Sequence, residues 1–196
     1  MDCGPLEEIE CAFVIREILK GIVFLHENNI VHCSISPENI LIGTKGEVKL
    51  TGFMEQYILN LNNDENFTRT VWSGGPEMAK STKLSEKSDI WGIGMTTIQL
   101  ITGEHPFGDL HPMRALMMII KIGPPVFDGI GYSNEIFDFI SKCTDKEPAN
   151  RPTAQELLRH PFIQLADDLD SLQSLIHRAE EYNSIIKGVF PLLEER

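Results

Sequence analysis

Basic residues are what this sequence is short of: 17 Lys and Arg stand against 29 Asp and Glu, for a net charge of -12. A surface of that sign repels phosphate backbones and anionic lipid, so nucleic acid and membranes are excluded as partners and proteins are favoured. Cysteine is sparse too. Cys3, Cys11, Cys33 and Cys143 include no Cys-x-x-Cys pair and no His at ligand spacing, so neither a zinc site nor a disulfide framework is indicated and reduced thiols in a cytoplasmic protein are expected. No signal peptide is expected at the start, and no apolar run approaches about 18 residues, so a membrane span is excluded. In that compartment the Asn66-Phe67-Thr68 sequon is a chance match.

What is present is enough apolar material for one well-buried core, with 42% hydrophobic residues in 196. Apolar residues at Ile9, Phe13, Ile15, Ile18, Leu19, Ile22 and Leu25 predict a helix over Glu7 to Glu27, ended by Glu27-Asn28-Asn29. Ile40 to Ile42 and Glu47 to Leu50, joined by Gly43-Thr44-Lys45-Gly46, predict a β-hairpin. From Ser88 to Ile101 apolar residues lie nearly all round, the mark of an enclosed helix. Further helices are expected over Asn134 to Cys143 and Thr153 to Arg159. Beyond residue 163, Leu165, Leu169, Leu172, Ile176, Ala179 and Ile186 share one helical face that Gly188 and Pro191 end. That helix is expected to pack back on the rest, with partner binding as the second reading.

The stretch that organises the chain is Ile30-Val31-His32-Cys33-Ser34-Ile35-Ser36-Pro37-Glu38-Asn39-Ile40-Leu41-Ile42. It resembles the catalytic loop of the protein kinases: His32, Pro37-Glu38-Asn39 and the following strand stand in register. Cys33, Ser34 and Ser36 replace the family's Arg, catalytic Asp and Lys. Val48-Lys49-Leu50-Thr51-Gly52-Phe53-Met54 resembles the strand and metal-binding turn that ends Asp-Phe-Gly, with Gly52 at the position of the Asp and Phe53 kept for packing. In kinase phosphoryl transfer the loop Asp takes the substrate hydroxyl's proton, and the other Asp with the loop Asn holds Mg²⁺ on the phosphates. A serine cannot be that base, a loss of about 10²- to 10⁴-fold in rate. Gly52 offers no ligand, and the neutral amide of Asn39 alone is a poor anchor for a hard cation.

The resemblance extends over residues 7 to 163. Residues 55 to 75 correspond to the activation segment, in which Thr68, Thr70 and Ser73 could be phosphorylated, although Cys33 cannot pair with a phosphate as the family's Arg does. Gly75-Pro76-Glu77 resembles the Ala-Pro-Glu closure, and Arg151 the residue its Glu pairs with, so Glu77 and Arg151 are read as structural. Asp89 matches the Asp that bonds the catalytic-loop backbone. Asp109-Leu110-His111-Pro112-Met113-Arg114-Ala115-Leu116 resembles the germinal-centre-kinase branch of the Ste20-like serine/threonine kinases, where it begins a helix that often docks partners. Leu110, Met113, Arg114 and Met117 are the docking candidates, though burial is the more frequent fate of Met113, Met117 and Met118. Leu41 would sit under an adenine in an active relative; core packing is favoured for it here. Cys33 is expected to be a buried, inert thiol. His32, His105, His111 and His160 never approach metal-ligand spacing.

The fold implied is mainly α, a kinase-like C-terminal lobe with a small β-hairpin at 1–163 and an amphipathic helical extension at 164–196. No Gly-x-Gly-x-x-Gly occurs, so the N-terminal lobe is expected to be absent; the hairpin and the Phe53 turn would then be uncovered and would favour self-association. The function implied is that of a catalytically inactive, pseudokinase-like module, without cofactor, acting through protein partners, an active kinase among them. The rivals are a residual ATP- and Mg-dependent serine/threonine kinase using Asn39 and a truncated product with no function.

Overall fold

A computed structural model of the chain describes residues 4–52, 75–79, 85–125, 127, 129, 131–166 and 170–189. The elements, in order, are α1 (Glu8–Glu27), β1 (Ile40–Ile42), β2 (Val48–Leu50), α2 (Pro76–Ala79), α3 (Glu86–Thr102), α4 (Pro112–Lys121), α5 (Asn134–Cys143), α6 (Ala154–Leu157), α7 (Pro161–Gln164) and α8 (Asp170–Val189). The architecture is mainly helical, with one two-stranded antiparallel sheet.

The core is built round α3. Ile90, Trp91 and Ile93 are fully buried, and α1 and α5 pack against this helix. α1 contributes Phe13, Ile15, Ile18, Leu19, Ile22 and Leu25 to the same cluster. Ile9, expected on that face, is instead 46% exposed. The first turn of α1 closes through a capping box in which the Glu7 N–H donates to Glu10 Oε2 at 2.9 Å. Its last turn ends on Asn29 in the left-handed region (φ 57), and the Ile30 N–H reaches back to the Leu25 carbonyl at 2.9 Å. Asn is one of the few residues besides Gly that tolerate that conformation.

Strand register decides a position that periodicity left open. Ile40 pairs with Leu50, Leu41 with Lys49 and Ile42 with Val48. Ile40, Val48 and Leu50 pack on the core, so Leu41 and Lys49 share the outward face, and Leu41 is 54% exposed. The core-packing expectation for Leu41 is therefore corrected.

The helix expected over Thr153 to Arg159 is shorter, ending at Leu157, and Pro161 disfavours helical backbone at the residue before it, His160. Thr153 caps α6, with the Glu156 N–H donating to its Oγ1 at 3.2 Å; His160 is extended (ψ 141) and in turn starts α7.

α8 lies back on α1. Leu172 and Leu175 join the main core, each worth about 1.5–3 kcal/mol of burial. Beside them, Glu10 on α1 is only 2% exposed and accepts hydrogen bonds from Ser174 Oγ and, at 2.7 Å, from Arg178 Nη2. Leu165, expected on this apolar face, is 40% exposed; Leu169 lies outside the described residues.

Candidate functional site

α1 delivers the chain into the loop at Val31, and α3 holds that loop in place. Cys33 occupies the left-handed region (φ 63), which turns successive N–H groups toward one side. There the His32 N–H donates to Asp89 Oδ2 at 2.9 Å and the Cys33 N–H to Asp89 Oδ1 at 2.7 Å. Asp89 is 1% exposed, and its Oδ2 also lies 2.8 Å from His26 Nε2. Three donors on one buried carboxylate satisfy it without a cation of Arg or Lys type. About two to three turns further along α3, Thr96 Oγ1 donates to the Ile35 carbonyl, and Gln99 donates to Glu38.

The His32 ring fixes the other side of the loop. Its Nε2 faces the Thr51 carbonyl at 3.0 Å and its Nδ1 accepts from the Ser34 N–H at 3.2 Å. That pairing assigns the neutral tautomer with the proton on Nε2. Burial lowers the His32 pKa, against the opposing pull of Asp89 and the Thr51 carbonyl. The Cys33 thiol is half-buried, and burial, with the nearby Asp89 charge, pushes it up to about 12. Such a thiol carries almost no thiolate at neutral pH.

Asn39 and Gly52 meet at the centre. The Asn39 amide donates from Nδ2 to the Ser34 carbonyl at 2.8 Å and to Ser34 Oγ at 3.0 Å. Its backbone carbonyl accepts from Thr51 N at 2.8 Å. Gly52 has φ 77, and a Cβ built on it would lie 2.5 Å from the Asn39 side chain. The Asn39 side chain thus fills the room that a carboxylate stem at 52 would need. Ser34 and Ser36 present hydroxyls, and no group of three or more His, Cys, Asp or Glu able to hold a metal occurs among the described residues. A magnesium ion prefers charged oxygens in a near-octahedral shell. The groups that meet at Gly52, the Asn39 amide and the Ser34 hydroxyl, are both neutral and do not fit it, and the nearest loop carboxylate, Glu38, is turned to Gln99.

Beneath the loop, Arg151 and Glu77 form a buried bidentate pair, Nη1 to Oε1 at 2.7 Å and Nη2 to Oε2 at 2.9 Å. Arg151 further donates to the Lys87 and Asp145 carbonyls and stacks 5.1 Å from the Trp91 ring centre. Ser88 Oγ donates to Glu77. This cluster ties α2, α3 and the 145–151 turn together, and nothing in its geometry is chemical.

The remaining positions are scattered. On α4, Ala115, Leu116 and Ile119 turn inward, which leaves Met113 (50% exposed) and Met117 (55%) on the outer stripe with exposed Arg114. The burial expected of these methionines is corrected; Met118 and Leu110 are half-buried. Phe53, Thr68, Thr70 and Ser73 lie outside the described residues. His26, Thr51, Thr96 and Gln99, which the motif reading passed over, hold the loop; a His in the last turn of α1 has no local pattern that links it to Asp89.

The family described as protein kinase domain matches residues 2–163. The serine/threonine-protein kinase dst1 of Dictyostelium discoideum is 39% identical over 178 residues, covering 89% of this chain and 24% of the relative. The pakC kinase of the same organism is 36% identical over 180 residues, 89% of this chain and 37% of its own length. The shk1/pak1 kinase of Schizosaccharomyces pombe is 37% identical over 176 residues, 88% of this chain and 27% of the relative. The chain therefore spans well under half the length of these relatives.

Proposed function

The chain belongs to the protein kinase family, Ste20-like in type, and on that premise we propose that this domain is catalytically silent and works by binding protein. The observation that carries the reading is the contact between Asn39 and Gly52. The side chain that a kinase would use beside its metal-binding Asp stands 2.5 Å from where a Cβ at 52 would be, and it is tied to Ser34 instead of to an acid. Removal of both carboxylates takes away the proton acceptor and the main metal ligand together.

The frame around the lost groups is kept. Asp89 grips the His32 and Cys33 N–H groups, and Arg151 pairs with Glu77. A domain whose work is recognition needs that shape without the chemistry. The partners are proteins, an active kinase among them, engaged through the outer face of α4 with Met113, Arg114 and Met117. A residual serine/threonine kinase is the second reading, favoured by Asn39, whose bond to the Ser34 carbonyl keeps it in the loop.

Thermal denaturation with ATP and Mg²⁺ separates the two. A nucleotide present at 100-fold over its Kd adds about 2.7 kcal/mol, which is several degrees in a domain of this size. No shift at millimolar nucleotide, and no phosphate transferred to a protein substrate, is expected. Transfer that disappears in the Asn39→Ala variant would refute the silent reading.

A further inference from the structure

At the C-terminal end of α3 the chain folds over a cleft of about 460 Å³ whose lining contains none of the loop residues described above. Its apolar wall is made by Ile98, Phe107, Leu110, Phe127 and Tyr132. The wall is held firmly. Tyr132 OH donates to the Ile101 carbonyl at 3.0 Å, and the Phe127 ring lies 5.3 Å from that of Tyr132 and 5.0 Å from that of Phe137. A preformed aromatic wall of this kind anchors a side chain at little ordering cost.

The rim has one sign of charge. Glu104 and Asp109 line the cleft and are exposed, and no Lys or Arg is among the lining residues described. Glu104 is oriented by its backbone, whose N–H donates to Thr102 Oγ1 at 3.1 Å and whose carbonyl accepts from the same hydroxyl. His105, also in the lining, does not offset the acids, since burial lowers its pKa and keeps it neutral. Glu38 adds a third carboxylate close enough to His105 to act on it.

We propose that this cleft is a docking site for a basic segment of a partner protein, with a large apolar side chain against Phe107, Phe127 and Tyr132 and an Arg or Lys against Glu104 and Asp109. The inference rests on the reading that this domain works by binding protein, and it names the chemistry of what is bound. The volume lies in the range of sites that enclose a small ligand or a few side chains. A second copy of this chain is the wrong occupant for this cleft, because it would bring its own excess of acid to an acidic rim. Anionic small molecules are disfavoured by the same acids.

Fluorescence polarisation on the whole chain tests the assignment with a short labelled peptide that carries an Arg-Arg pair beside a Phe. Two control peptides replace the pair with Glu-Glu or the Phe with Ala. Saturable binding of the first peptide is expected, weakened about fivefold to tenfold in each control. The Glu104→Lys, Asp109→Lys double variant should reverse the preference and take the Glu-Glu peptide. Both residues are exposed, so the variant should keep the parent's melting curve, and Leu110→Ala provides a second, uncharged probe of the wall. No saturation at millimolar protein, equal binding of the basic and acidic peptides, or a double variant that keeps the original preference would each overturn the proposal. None of these outcomes touches the nucleotide experiment: a failed peptide leaves catalytic silence standing, and a nucleotide shift leaves the peptide result standing.

Discussion

Replacing Gly52 with alanine should destabilise the protein chiefly through Asn39. The new Cβ would sit 2.5 Å from the Asn39 amide, about 1 Å inside ordinary van der Waals contact. The amide cannot swing away freely, because Nδ2 is bonded to the Ser34 carbonyl at 2.8 Å and to Ser34 Oγ at 3.0 Å. Losing both bonds costs about 1 kcal/mol each. Holding an L-residue at the φ of 77 costs about 1–2 kcal/mol more. The sum, about 3–4 kcal/mol, lowers the midpoint of thermal unfolding by about 6–16 °C for a chain of this size. A double-mutant cycle by urea denaturation apportions the loss. With Asn39→Ala as the background, only the backbone cost of Gly52→Ala should remain, so the two changes couple by about 2 kcal/mol. If Gly52→Ala costs the same in both backgrounds, within about 0.5 kcal/mol, Asn39 does not occupy that space and the argument for a filled metal position fails.

Three other outcomes are expected. Glu77→Ala should cost about 3–5 kcal/mol in urea unfolding, because it strands the buried Arg151 guanidinium, while Glu77→Gln, which keeps acceptor geometry on one side, should cost less. Stability should fall as pH drops through about 6.5: there the unfolded chain protonates its histidines, while burial keeps His32 neutral in the fold. His32 alone contributes at most about 1.4 kcal/mol of that loss one pH unit below 6.5, His105 adds in the same direction, and a flat profile from pH 7.5 to 5.5 would contradict both. Alkylation of Cys33 by iodoacetamide at pH 7.5, followed by peptide mass mapping, should be far slower in the native protein than in urea, since its thiol is pushed up to about 12.

Where a segment carries a one-sided apolar pattern with its own stop signal, the sequence was enough. α1 is the clearest case: Phe13, Ile18, Leu19, Ile22 and Leu25 share a face and Asn28-Asn29 ends it. α5 likewise runs over the residues its pattern marks. Where the pattern allowed two solutions, it was not. On α4 nearly every residue is apolar, so the period could not say that Ala115, Leu116 and Ile119 would take the inside and leave Met113 and Met117 out. In β1 the alternation could not say which side of Leu41 faced the core until the pairing with Lys49 was known. The loop motif supplied Asn39, Ser34 and Gly52 by resemblance, but not their contact. His26 reaching Asp89 across 63 residues has no local signature at all. The same holds for Glu10: an acid in the first turn of a helix reads as a favourable surface charge, and only its long-range partner on α8 accounts for its burial.

That partner has a practical side. The match to the protein kinase domain stops at residue 163, yet the carboxylate of Glu10 is answered by Arg178 and flanked by Leu172 and Leu175. The matched domain and the folded unit therefore have different boundaries here. A version trimmed to the matched domain would bare a greasy seam along the first helix and leave an acid there with no counterion, inviting the shortened protein to clump.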